Sequence, residues 1–442
     1  MHPTRRQVIQ GSIGVAGAAA LTSLLPIARA SSTEPTDPHR RFVFVYFLGG
    51  WDAILTLDPK DPEVYDDTEA TILSTGVQTA YTQVGARIDD PRIFTDVEGL
   101  VLGPYMGELL PTLASKLAVI RGMTVTSVDH IAGALHAVTG RAPAGLLPRG
   151  SSLATILAAA LGENELIPNL VSGIQSYNLD QPNYASALEA VSYQDLQQIL
   201  APGLTVLEPA ERDALETFFA KETERMANPR LSTMLETRLS SQALVEEQIA
   251  EVFNPANADN IELAEYFSGH AGAFMAYQAL TQGISRCMTY RGCPFNDTHS
   301  GAQWRTLHGP RLQDGFDSVA LLAQRLDDTE HPAGGSWLDH TTIVCASEFN
   351  RSPALNGVGG RDHATNNSML LLGAGIKGGT VIGASHPIRM AAQKVDLSTG
   401  EVDPDGGSSI EHDNVGRTLL ASIGITEDIA DLRAEPIPAL MA

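Results

Sequence analysis

Arg41-Phe42-Val43-Phe44-Val45-Tyr46-Phe47-Leu48-Gly49-Gly50-Trp51-Asp52 is the stretch whose reading decides the fold. After Arg41 it is aromatic and β-branched without a polar face, the composition of a strand buried on both sides. Gly49-Gly50 turns the chain sharply. Asp52 then stands at the strand's carboxyl end, where open α/β sheets collect ligands. It reads either as a metal-ligating carboxylate or as the cap of the next helix.

Outward from this strand, Leu117–Ile120, Thr341–Ala346, Met369–Leu372 and Thr380–Ile382 read as further strands. Ser152–Leu161 and Asp317–Leu326 carry helical apolar spacing. Strands alternating with helices predict an α/β fold with a largely parallel sheet covered on both faces. From about 193 to 282 the chain is charged, helical in pattern and free of convincing strands. Glu208–Ala227 and Leu231–Phe253 show the clearest helical spacing there. The expectation is a helical insertion capping one sheet domain that spans 31–442. Asp61–Glu69 is acidic and reads as a solvated loop or a calcium site.

The N-terminus predicts export. Thr4-Arg5-Arg6-Gln7-Val8-Ile9 precedes an uncharged stretch from Gly11 to Pro26, and Ala28-Arg29-Ala30 offers a small-x-small cleavage site. The apolar part is too short and too weakly hydrophobic to span a bilayer. A twin-arginine signal over residues 1–30 fits, placing the mature chain in the periplasm or outside the cell. Such cargo crosses the membrane folded, which suits a metal loaded beforehand. No other segment predicts a membrane span. The formal charge of −23 argues against nucleic acid or an anionic membrane as partner. Three cysteines are too few for a disulfide framework. Cys287 and Cys293 read either as free thiols or as a pair, whereas Cys345 reads as a packed strand residue.

The chemistry-bearing residues fall in four groups. Asp297, His299 and His308 follow Phe295-Asn296; Asp and His two apart in a loop can reach one ion, and zinc takes such N and O donors. Glu348 and Arg351 stand just after the strand Thr341–Ala346. Arg361, Asp362 and His363 lie in a glycine-rich loop. His130 opens a small-residue helix ending near Gly140, where backbone amides and the helix dipole favour anions. His136 lies six residues on, faces another direction and reads as a packed or surface residue. There is no G-x-S-x-G elbow, P-loop or HExxH signature.

Together Gly49-Gly50-Trp51-Asp52, Asp297-Thr298-His299, Ser347-Glu348-Phe349-Asn350-Arg351 and Gly360-Arg361-Asp362-His363, with Leu371-Leu372-Gly373-Ala374-Gly375, resemble the Tat-exported domain-of-unknown-function family 1501. That family is related to the sulfatase and alkaline phosphatase superfamily. The resemblance implies a three-layer sandwich, mostly parallel, with one or two divalent ions at the strand ends. The ions expected are zinc, or calcium, magnesium or manganese. It implies a hydrolase of phosphate or sulfate esters, acting on a small-molecule or polysaccharide ester. Asp52, Asp297, His299 or His308, Glu348, Asp362 and His363 resemble metal ligands. His130 falls where the superfamily places a hydroxyl nucleophile, and Phe349 replaces a histidine of the second metal pair. His130 is therefore expected as a replacement ligand, a nucleophile or a packing residue. Arg351 or Arg361 would hold the anionic ester. The rival expectation is a non-catalytic surface or carbohydrate-binding protein retaining the fold and part of the metal site.

Overall fold

A computed structural model describes residues 35–85, 100–107, 109–162, 165–192, 194–196, 217, 221 and 249–442. The export signal expected over residues 1–30 lies outside the described residues, as do nearly all of the helices expected over 208–253. Eight strands form the main sheet: β1 Arg41–Tyr46, β2 Leu117–Thr124, β3 Asn169–Ser172, β4 Leu188–Ala190, β5 Cys287–Arg291, β6 Thr341–Ala346, β9 Asn366–Gly373 and β10 Thr380–Ile382. Two-residue strands β7 Asn350–Arg351 and β8 His363–Ala364 pair separately. The order across the sheet is β10-β2-β9-β6-β1-β5-β3-β4. All neighbours are parallel except β9, which runs antiparallel to β2 and β6.

Side-chain alternation along β1 defines three layers. Val43 and Val45 face one core with Phe274 and Leu280 of helix Ala271–Thr281 and Phe316 of helix Gly309–Asp327. Phe42, Phe44 and Tyr46 face the other with Ala137 of helix His130–Thr139, Ile156 of helix Leu153–Leu161 and Leu419 of helix His412–Ala421. The α/β expectation holds, and both faces of the sheet are covered. Helix Ala271–Thr281, expected within the insertion, belongs to a layer of the sandwich. The three cysteines are free and buried. In the acidic segment, Asp67 accepts the Thr79 and Ala80 amides at 2.6 and 2.7 Å. Gly373-Ala374-Gly375-Ile376-Lys377-Gly378 has dinucleotide-fingerprint spacing. It joins antiparallel β9 to β10 and opens no helix, so it lacks the context that motif requires. Among the described residues no helix is long and apolar enough to cross a membrane.

Candidate metal centre

The sheet brings the chemistry-bearing loops to one edge. β1, β2, β5 and β6 run parallel, so the residues following each emerge on the same side. These are Gly49-Gly50, His130, Asp297-Thr298-His299 and Ser347-Glu348. Antiparallel β9 starts on that side, and His363 stands just ahead of it. Gly49 and Gly50 adopt φ of 108° and 78°. A Cβ on Gly49 would lie 2.2 Å from the Asn296 backbone nitrogen, and one on Gly50 2.6 Å from the Phe349 ring. The β1 turn is thus packed directly against both neighbouring loops, which only glycine permits.

Three imidazoles converge on one carboxylate oxygen. Asp297 Oδ1 lies 3.3 Å from His130 Nε2, 2.9 Å from His299 Nε2 and 3.3 Å from His363 Nε2. The far nitrogen of each ring meets an acceptor. His130 Nδ1 is 2.8 Å from Glu348 Oε1, His299 Nδ1 is 3.0 Å from Asp362 Oδ1, and His363 Nδ1 is 2.7 Å from the Val128 carbonyl. A carbonyl only accepts, so the His363 proton sits on Nδ1 in the neutral ring. Carboxylates at the other two favour the same tautomer, leaving the Nε2 lone pairs facing inward.

Glu348 is buried and held in turn. Its Oε1 accepts the Gly49 amide at 2.6 Å and its Oε2 the Ser347 hydroxyl at 3.0 Å. His130 opens its helix behind Asp129, whose Oδ1 accepts the Ile131 and Ala132 amides at 3.0 and 2.9 Å. Phe295, Phe349 and His363 pack around its ring at 4.9, 4.9 and 4.6 Å.

Arg351 supplies a fixed positive charge. Its side chain is fully buried, and Nη2 donates to Asp297 Oδ1 at 2.7 Å. Its other donors go to the Gly49, Gly50, Asn296 and Arg361 carbonyls, and Nη1 also lies 3.5 Å from His299 Nε2. Burial opposes charge on Asp297, but the Arg351 hydrogen bond, with the charges of Arg351 and His130, prevails and holds its carboxyl far below the usual range. Burial likewise opposes charge on His130, yet the Glu348 hydrogen bond and the fields of Glu348 and Asp297 raise its pKa. For His363 burial prevails and lowers it.

These residues fit a divalent ion. His130, Asp297 and His363 each offer a ligand atom, all within 4.8 Å of one another, and His130 Nε2 is buried without a hydrogen bond. Ligands about 2.0–2.2 Å from a common ion sit at comparable mutual spacing. His299 Nε2 reaches Asp297 Oδ1 at 2.9 Å from the exposed side without belonging to that close group. Three imidazoles and one carboxylate suit zinc or a similar transition ion better than calcium or magnesium.

Other expected site residues lie elsewhere. Asp52 is buried with its Oδ2 2.9 Å from Arg361 Nε and 3.0 Å from Trp304 Nε1, and its Oδ1 accepts the Ile54 amide. Asp52 is thus committed to an ion pair away from the imidazole cluster. Arg361 stacks over Trp304 and donates to the Ser352, Gln78 and Thr79 carbonyls, so it has no free fork for an ester. His308, in a π-helical turn, is fully buried with Nδ1 2.7 Å from Thr298 Oγ1. Burial, then Arg351, Arg361 and Arg311, hold its pKa well below the ordinary value. Glu348 and Asp362 sit behind His130 and His299 rather than among the converging atoms.

A family-model comparison agrees with the family resemblance over part of the chain. Residues 292–402 match the family model for a protein of unknown function, DUF1501. No curated protein matches the chain. Solved structures similar to it include Ps i-CgsB in complex with k-i-k-neocarrahexaose. That likeness has 10% identity, a TM-score of 0.37 and coverage of 92% of this chain and 76% of that one. A protein in the alkaline phosphatase superfamily from Vibrio parahaemolyticus is 10% identical, with TM-score 0.35 and coverage of 91% and 71%. The soluble domain of lipooligosaccharide phosphoethanolamine transferase A from Neisseria meningitidis is 9% identical, with TM-score 0.34 and coverage of 94% and 96%.

Proposed function

We propose that this protein is an exported, metal-dependent hydrolase of phosphate or sulfate esters. The observation that carries the reading is the set of three Nε2 atoms aimed at Asp297 Oδ1, each ring fixed from behind. A divalent ion held there by His130, His299, His363 and Asp297 would polarise the ester and lower the pKa of water toward about 7. The protein's own share is positioning. Glu348, Asp362 and the Val128 carbonyl orient the imidazoles, and Arg351 lends a buried positive field that favours an anionic ester. His130 occupies the helix N-terminus where a hydroxyl nucleophile was expected, so attack by water fits better than a seryl or threonyl intermediate. A cavity of about 290 Å³ beside His130 and Glu348, lined by Leu48, Ile131, Phe295 and Tyr177, would take the organic part of the ester.

Elemental analysis of protein purified without chelators, with assays on p-nitrophenyl phosphate and sulfate, tests this reading. The expected result is at least one transition-metal ion per chain and turnover that chelation stops and the ion restores. Trace metal with no turnover would instead favour the binding-protein reading, in which the imidazoles hold an anion in the field of Arg351 without chemistry. For export, the expected result is that Arg5→Lys with Arg6→Lys retains the protein in the cytoplasm. Undiminished periplasmic appearance of that variant would show another route.

A further inference from the structure

The helix that His130 opens turns an apolar face to the imidazole cluster. Ile131, Ala134, Leu135 and Val138 follow the three- and four-residue spacing that puts side chains on one face. All four line the cavity of about 290 Å³ that begins at His130 and Glu348. Leu48, after β1, and Ile174, after β3, line it too, and the Phe295 ring stands 4.9 Å from that of His130. Ile131 is 58% and Phe295 47% exposed, so two large apolar side chains are left to water at the rim of a charged cluster. Apolar side chains joined in one exposed patch mark a binding site, where the same residues scattered singly would not. The polar side chains of the wall are already engaged. Glu348 accepts from the Gly49 amide and the Ser347 hydroxyl, and its Oε1 meets His130 Nδ1. The Tyr177 hydroxyl donates to Gln175 Oε1 at 2.8 Å. Among the described residues of the wall, the Gln175 amide nitrogen is the side-chain donor left over.

We propose, resting on the ester-hydrolase reading above, that the Asp297 centre selects esters of an apolar alcohol, a short alkyl chain or a single aromatic ring. Ile131 and Phe295 are the residues that set this specificity. The phosphate or sulfate group meets the imidazoles and the field of Arg351, while the carbon skeleton of the alcohol runs along the helix face. Burying it removes apolar surface from water on both sides of the contact. A sugar fares worse there, because its hydroxyls lose water against a wall with one spare side-chain donor. The volume is at the low end for small-molecule pockets, which suits one ring or a few carbons. In the reaction water adds its oxygen to phosphorus or sulfur, the bond to the alcohol oxygen breaks, and the alcohol leaves with a proton from that water.

The test gives ethyl, butyl and hexyl phosphates and sulfates, beside glucose 6-phosphate and glucose 6-sulfate, to the full chain purified without chelators. The parent is compared with Ile131→Asn combined with Phe295→Ser. In the parent, kcat/KM is expected to rise by up to about fourfold per buried methylene and to exceed that of the glucose ester. The double variant is expected to lose most of this dependence on chain length. A flat series in the parent, a glucose ester preferred to the hexyl ester, or the same slope in both proteins overturns the proposal. Should no ester turn over, the hydrolase reading fails by itself, and calorimetric binding of the same esters decides the apolar preference. Affinity that climbs with chain length in the parent but not in the variant supports it, and any other pattern overturns it. Should circular dichroism show the double variant to be unfolded, Ile131→Asn alone decides. A shallower slope than the parent's supports the proposal, and the parental slope overturns it.

Discussion

Alanine at His130 is expected to strip the ion from the Asp297 centre and to reduce ester hydrolysis to background in one step. The ring's Nε2 is a buried atom without a hydrogen bond, aimed at Asp297, while its Nδ1 is engaged by Glu348. Removing the ring removes a donor that no neighbour replaces. A metal's contribution of several kcal/mol corresponds to roughly 10³-fold or more in kcat/KM. Glu348→Gln keeps the shape but weakens the fixing of the tautomer, so metal affinity should fall by about 10–100-fold. The pH dependence has a definite sign. Glu348 and Asp297 raise the His130 pKa against burial, and a proton on Nε2 competes with the ion. Metal uptake should therefore weaken as pH falls through that raised pKa, and the Glu348→Gln variant should shift this loss to lower pH. Zinc titrations across pH check both statements. Full metal with no turnover in His130→Ala, and an acid-labile phosphoenzyme in the parent, would make His130 a nucleophile. Full metal and full turnover would make it packing.

The parts of the fold that were legible are those whose physics is local. β1, β6 and β9 were read from their apolar, β-rich runs; β6 spans the residues read, β1 ends at Tyr46, and β9 extends beyond Met369–Leu372 to Asn366–Gly373. β5 was missed, although it lies beside β1 and carries the Asp297 loop. Cys287-Met288-Thr289-Tyr290-Arg291 has no continuous apolar run, and its burial comes from neighbours in the sheet. β3 and β4, at four and three residues, are too short to show a period. Within the cluster, His299 and His363 were singled out because they stand beside carboxylates in loops near strand ends, and both rings face Asp297. The sequence could not separate candidate ligands from the groups behind them. Glu348 and Asp362 each stand beside a histidine of the cluster, and a carboxylate that touches the ion and one that touches the far ring nitrogen look alike in a linear chain. His136 was read as a packed or surface residue and is buried; its carboxylate contact, Asp413, lies 277 positions away, beyond the reach of a linear reading.

Asp52→Asn is expected to be the most destabilising conservative change at the sheet edge, while leaving metal content per folded chain unaltered. The Asp52 and Arg361 side chains are 1% and 0% exposed and 2.9 Å apart. Neutralising one partner leaves a guanidinium buried without its counter-charge, a change that costs about 3–5 kcal/mol. Arg361 cannot turn outward to water, because its other donors are tied to three backbone carbonyls and its plane lies over Trp304. Adding Arg361→Met should recover part of the loss, since it removes the stranded charge and keeps much of the volume. Urea denaturation of the single and double variants measures the coupling, and elemental analysis of the folded fraction measures the metal. A ligand role predicts the opposite pattern, with near-parental stability and lost metal. The ion pair explains why a carboxylate at the end of the first strand is withdrawn from the cluster. Arg361 lies two residues before His363 in the same loop. Its tie to Asp52 anchors that loop against the β1 turn and so helps hold the His363 ring toward Asp297.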